Sequence, residues 1–189
     1  MRLGWLLVMV ACSLGAGACR GEGTTTAGCP SAQPAGPAID EAVMAFLSAA
    51  RALHHEADIR ERAGDVEGAI APLEKLVAMP APRAVEVQEV LADAHARLAE
   101  LRLERGDVDG ATRDVETGLL AVQGPTYFRG HLLEVQGRIE EARANALADA
   151  GRREEASRAK TRAVSLLDEA VHVQEQVIEH ALADAGETR

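Results

Sequence analysis

From Ile39 onward, apolar residues recur at intervals of three and four. The clearest run is Ala84, Val87, Leu91, Ala94, Leu98 and Leu101, a spacing that sets all six on one face of an α-helix. Phe128, Leu132, Val135, Ile139, Ala142 and Ala146 form a second stripe of the same kind. Val43, Phe46, Ala50, Leu53 and Ala57 form a third, and Val108, Ala111, Val115, Leu119 and Val122 a fourth. Gly64-Asp65 and Gly106-Asp107 interrupt the pattern. Each joins a glycine able to end one helix in the left-handed conformation to an aspartate able to cap the next. Gly151 ends a third long helix, with Arg152 in place of the aspartate. Met79-Pro80-Ala81-Pro82 and Gly124-Pro125 stop the chain more firmly, because proline disfavours helix in the residue before it. The pattern predicts six helices in three hairpins.

Two segments conflict with this scheme. Pro72 falls inside the second helix, where a kink or a late start is expected at a cost of roughly 3 kcal/mol. From about Arg152 to Asp184 no breaker occurs, and Ala156, Ala159, Ala163, Leu166, Leu167, Ala170, Val173, Val177 and Ala181 share one face. This helix is longer than a hairpin needs. It is expected either to cap the open end of the array or to run outward toward another chain.

The hairpins share more than their turns. Alanine lies seven residues before and five after each turn glycine: Ala57, Gly64, Ala69; Ala99, Gly106, Ala111; Ala144, Gly151, Ala156. The triplets are separated by 42 and 45 residues, the mark of an internal repeat. On these residues, from about Asp40 to Ala170, the chain resembles the tetratricopeptide repeat family of stacked helix-turn-helix units. Leu73 and Val115 match the aliphatic position four residues further on, and Lys160 does not. The period exceeds the usual value of about 34, the aromatic positions are not aromatic here, and the closing proline is displaced. The resemblance implies an all-α fold of residues 39–185 in which three hairpins stack as a short TPR-like superhelix with a long C-terminal helix.

Composition supports the helical class. Alanine occurs 37 times against four aromatic residues, Trp5, Phe46, Tyr127 and Phe128, which suits closely packed helices rather than a β-sandwich. With 20 basic and 30 acidic side chains, nucleic acid is not an expected partner. At the amino end, Arg2 precedes the apolar run Leu3 to Val10 and the small residues Ala16-Gly17-Ala18 before Cys19. Residues 1–18 read as a signal peptide, too short to be a comfortable membrane span.

The cut site resembles a bacterial lipobox with Cys19 as the lipidated residue, although Ala16 stands where leucine is usual. Cys12 is a weaker rival. Ordinary cleavage at the same place would instead release a soluble periplasmic or secreted protein, in which Cys19 and Cys29 could close a disulfide loop. Residues 19–38 are rich in Gly, Thr, Ser, Ala and Pro, a composition that predicts a disordered tether. Arg20, rather than Asp, after the cysteine resembles lipoproteins sent to the outer membrane. Without residues 1–18 the balance is 19 minus 30, or −11.

Chemistry is sparse. His54 and His55 are adjacent and point apart, and His172 and His180 are two turns apart, so no metal site is expected. Asp107-Val108-Asp109-Gly110 lacks the later ligands of a calcium loop. There is no nucleophile elbow, phosphate loop or dinucleotide fingerprint. Glu140-Glu141 and Glu154-Glu155 read as solvated pairs, and Arg152, Arg153, Arg158, Lys160 and Arg162 as a helix surface with i,i+4 pairing. Neither enzymatic activity nor a cofactor is expected.

The resemblance implies recognition through a concave groove lined by the first helix of each unit. Carried onto this chain, its positions are Arg51, His54, Asp58 and Glu61; then Asp93, Ala96, Glu100 and Leu103; then Arg138, Glu141, Asn145 and Ala148. Acids outnumber bases five to two, so a basic or polar segment of another envelope protein is the expected partner. The expectation is an outer-membrane-anchored lipoprotein that faces the periplasm and acts as an adaptor or assembly factor. Two alternatives stand beside it: a groove filled by the final helix, and an oligomeric helical bundle that associates through that helix.

Overall fold

The computed structural model describes residues 40–187. The expectations for the signal peptide, Cys19 and the tether lie outside the described residues. Six helices follow one another: α1 (Glu41–Arg62), α2 (Val66–Val77), α3 (Val85–Glu104), α4 (Val108–Ala121), α5 (Tyr127–Asp149) and α6 (Arg153–Glu187). The fold is all-α, with no strand among the described residues.

The turns are built as their residues dictate. Gly64, Gly106 and Gly151 have φ of 77°, 77° and 75°, a conformation costly for a side chain with a Cβ. After the first two, the Asp65 carboxylate accepts from the Gly68 amide and the Asp107 carboxylate from the Gly110 amide, each at 2.9 Å. Asp40 and Thr126 cap α1 and α5 in the same manner. Pro72 does not delay α2, which begins at Val66 and runs through the proline. Pro72 is buried together with Ala69, Ile70, Leu73 and Leu76, so packing of this face holds the helix together despite the amide bond to the Gly68 carbonyl that proline cannot make.

The helices meet in a fixed order. α1 touches α2 and α3, α3 touches α4 and α5, α2 also touches α3, α4 also touches α5, and α6 touches α5 alone. The core is correspondingly a row of clusters. Phe46, Leu53, Leu76 and Val87 fill one part of the space among α1, α2 and α3, and Leu73, Leu98 and Leu101 another. Val115, Leu132, Val135 and Ile139 join α3, α4 and α5, and Leu133, Ala170 and Val173 join α5 to α6. Burying one such leucine contributes about 1.5–3 kcal/mol.

Because α3 has neighbours on several sides, its apolar surface is wider than the single stripe expected from spacing. Ala92, Ala96 and Ala99 are buried as well. The alanines flanking each turn, Ala57 and Ala69, Ala99 and Ala111, Ala144 and Ala156, are all buried, which lets the paired helices approach closely.

The α5–α6 seam uses glycine for the same purpose. A Cβ on Gly137 would lie 3.0 Å from the Leu167 side chain and 3.3 Å from the Ala163 carbonyl oxygen. At the far end, Gln174 Nε2 donates to the Tyr127 carbonyl at 3.1 Å, so the first residue of α5 lies level with Gln174. Residues from Ile178 to Gly186 extend beyond it, and all are exposed. Two residues expected on the buried stripe of α6 depart from it: Leu167 is 38% exposed, and Ala181 lies past the end of α5.

Two glycine substitutions should separate these effects. Gly137→Val is expected to lower stability by about 1–3 kcal/mol through crowding of the α6 backbone. Gly106→Ala, with open space around the added methyl, should cost about 1 kcal/mol through φ alone. Urea denaturation followed by helical circular dichroism measures both.

Candidate functional site

α1, α3 and α5, the first helices of the three pairs, lie side by side in that order, α1 against α3 and α3 against α5. On one side of this layer their charged residues meet. Arg97 of α3 reaches α1, with its guanidinium 2.8 Å from Asp58 and 3.0 Å from Glu61 and 3.2 Å from His54 Nδ1. His54 Nε2 lies 3.8 Å from Asp93. Between α3 and α5, Arg138 pairs with Glu100 at 2.5 Å and His131 Nε2 lies 3.9 Å from the same carboxylate. Glu61, Arg97, Glu100, Leu103, Glu104 and Arg138 line a polar cavity of about 400 Å³.

Six of the expected groove residues are therefore brought together: His54, Asp58, Glu61, Asp93, Glu100 and Arg138. Arg51, Glu141 and Asn145 are exposed on the same helices and join no ion pair or side-chain hydrogen bond among the described residues. Leu103 lines the cavity. Ala96 does not join them. It is 1% exposed, within the α3–α4–α5 core, and Arg97, its neighbour one step around the helix, lies among these charges instead. His131 and Glu104 were likewise not anticipated.

A signal for Arg97 was present in the sequence. It stands four residues after Asp93 and three before Glu100, on their face, and a charged residue suits that face better than alanine. His131 stands seven before Arg138, again on one face, but only the stagger of α5 against α3 sets both beside Glu100.

The arrangement shifts several protonation equilibria. The Glu100 carboxylate raises His131 above its ordinary 6.5 against the opposing effect of burial, and Glu100 is lowered in turn by His131 and Arg138. Burial lowers His54, and Arg97 adds to that lowering while Asp93 and Asp58 oppose it. The two histidines thus act oppositely on stability. His131 contributes stability that is fully present below pH 6.5 and lost as pH rises through its higher folded value. His54 favours the fold when neutral, and that contribution falls as pH drops through 6.5 toward its lower folded value.

A second set of charges lies between the second helices and their neighbours. Arg102 of α3 pairs with Glu74 of α2 and with the buried Asp114 of α4. Glu140 of α5, 7% exposed, is held by Arg143 and by Arg162 of α6, and Arg143 also donates to Thr112 of α4 at 2.7 Å. Burial alone would raise Glu140, but the two guanidiniums bring it below its ordinary value.

No group of three or more His, Cys, Asp or Glu among the described residues could hold a metal ion, and no described helix is long and apolar enough to cross a membrane. No protein-family model matches the chain, and the searches of curated proteins and of solved structures find no match.

The histidine shifts are directly measurable. In an NMR titration the His131 ring should titrate above 6.5 and the His54 ring below it. Glu100→Gln should return His131 toward 6.5. It should also cost more stability at about pH 5.5 than at about pH 8.5, because the His131 contribution exists only on the acid side.

Proposed function

We propose that the chain is a tetratricopeptide-like lipoprotein that anchors to the outer membrane through Cys19 and works as an adaptor or assembly factor, holding a partner protein on the side of α1, α3 and α5 where the charged residues meet. The observation that carries this reading is the order of helix contacts. Each first helix touches its own partner helix and the first helix of the next pair, and each second helix is followed by the first helix of the next pair, as expected for hairpins stacked in sequence. α6 touches only α5, so it does not lie across the surface shared by α1 and α3, and no other described helix covers that surface.

The charges on that side favour a cationic or polar segment. Asp58, Glu61, Asp93, Glu100, Glu104 and Glu141 face Arg51, Arg97 and Arg138, so acids retain a majority of six to three. Arg97 and Arg138 already occupy Asp58, Glu61 and Glu100. An incoming lysine or arginine must exchange with these internal pairs, while Glu104 and Glu141 have no such pair among the described residues. Affinity of this origin weakens with salt.

Residue-specific photo-cross-linking in the intact envelope tests the reading. Probes at Arg51, Glu141 and Asn145 should capture a common partner, whereas a probe at Leu120, 79% exposed on α4, should not. Equal capture from both sides would refute a groove. Glu104→Lys combined with Glu141→Lys should reduce that capture severalfold without lowering stability, since neither carboxylate holds a neighbouring helix. Separately, Cys19→Ser should move the protein from the membrane fraction to the soluble fraction if the anchor is a lipid on that cysteine.

A further inference from the structure

The buried face of α6 points to α5, yet a second apolar stripe runs beside it. Val164, Leu167, Val171, Ile178 and Leu182 are 58%, 38%, 59%, 57% and 69% exposed. Their steps of three, four and seven continue one seam over about 27 Å of helix. Between α5 and α6 this seam opens into an apolar cavity of about 440 Å³, floored by Leu167, Ala170, Val171 and Ile178 and rimmed by Glu134 and Glu175. In the rest of the array the corresponding side of each second helix is covered by the helix that follows it, α3 over α2 and α5 over α4. No helix follows α6 among the described residues.

The charge along α6 indicates what covers the stripe. Its amino-terminal part carries Arg153, Arg158, Lys160 and Arg162 against Glu154 and Glu155, a basic excess, whereas no lysine or arginine occurs between Ala163 and Glu187, a stretch that carries Asp168, Glu169, Glu175, Glu179, Asp184 and Glu187. Two such helices side by side in parallel would set like charges together along their length. In antiparallel order each basic half meets an acidic half.

We propose that the occupant is a second copy of this chain, paired α6 to α6 in antiparallel order about a two-fold axis near Glu169. In this register Leu167 of each copy packs on Val171 of the other, at the centre of the seam. Val164 meets Gln174, and Lys160 lays its methylene stem over Ile178 with its ammonium between Glu175 and Glu179 of the partner. Glu169, level with the axis, is turned toward Arg129 of α5 at 3.9 Å, and Asp168 beside it lies at the solvent-exposed margin where screening is strong. Glu134 of α5 rims this seam and also acts on His131 of the charged side, so the pairing borders that surface at α5; it is read by mass without the adaptor's partner, so its failure is distinguishable from failure of the adaptor reading.

Light scattering on the purified full chain, at about 100 µM so that a micromolar complex is filled, should give twice the monomer mass. Val171→Glu, at an exposed site that should leave helical content unchanged, is expected to give monomers. Lys160→Glu should weaken the dimer about tenfold, and adding Glu175→Lys with Glu179→Lys to that variant should restore it, because the exchanged charges again face their opposites. A wild-type monomer at that concentration would overturn the pairing and assign the stripe to a partner of different sequence. A dimer indifferent to Val171→Glu, or a triple variant no tighter than Lys160→Glu alone, would overturn the interface or its register.

Discussion

The structure depends on how closely its helices approach, and small side chains set that approach. Ala57, Ala69, Ala99, Ala111, Ala144 and Ala156 are buried where each pair turns. At Gly118 of α4 an added Cβ would meet Leu132 at 2.7 Å and His95 at 3.1 Å. Alanine loses no side-chain entropy on burial and favours helix, so a chain rich in it gains rods and close contacts together. It gains less apolar area per contact than leucine would give, which is why leucine, valine and isoleucine still fill the spaces between pairs. Few aromatic residues are required because the spaces left between such close helices are shallow.

How much of this could be read from the chain follows from the range over which each interaction acts. The turns were legible because their determinants lie within four residues: a glycine at positive φ and an aspartate that reaches the third amide beyond it. Buried faces were legible because spacing alone fixes them. What spacing does not carry is the stagger between neighbouring helices. Counted back from their turn glycines, Glu100 lies six residues before its turn, while Arg138 lies thirteen before its own, yet the two side chains meet. Equivalent positions in successive repeats are therefore not opposite each other. For that reason His131 is not found by position in the repeat, whereas Ala96 is lost to the core because α3 buries a wider face, and Arg97 is indicated by its local spacing to Asp93 and Glu100. α6 illustrates the same limit, since the stripe that meets α5 was evident from spacing, with Ala156, Ala159, Ala163, Ala170 and Val173 buried, but not where α5 ends along it, which leaves Ala181 outside the seam.

The two sets of ionic contacts differ in burial, and this difference bears on what each can do. Asp114 and Glu140 are each 7% exposed; Asp114 is met by Arg102 of α3, and Glu140 by Arg143 of its own helix and by Arg162 of α6. Removing Arg102 would leave the buried Asp114 carboxylate without a guanidinium, at about 3–5 kcal/mol, while Glu140 is held by two, so these contacts resist exchange and help fix the relative placement of α2 to α6. The carboxylates of the other set, Asp58, Glu61, Asp93 and Glu100, are about a third to a half exposed. Pairs with that access to water contribute about 0–1 kcal/mol each.

A surface that binds another chain must be able to give up the bonds it makes with itself. The set around Asp114 and Glu140 cannot do so without loosening the array. The set on α1, α3 and α5 can, because an incoming cation replaces an internal guanidinium at nearly equal cost, and the helices remain held by the apolar contacts behind them. On the proposed binding side, selectivity would come less from any single pair than from the spacing of Asp93, Glu100 and Arg138 across two helices. That spacing is set by the stagger, which the buried alanines and the buried ion pairs keep rigid.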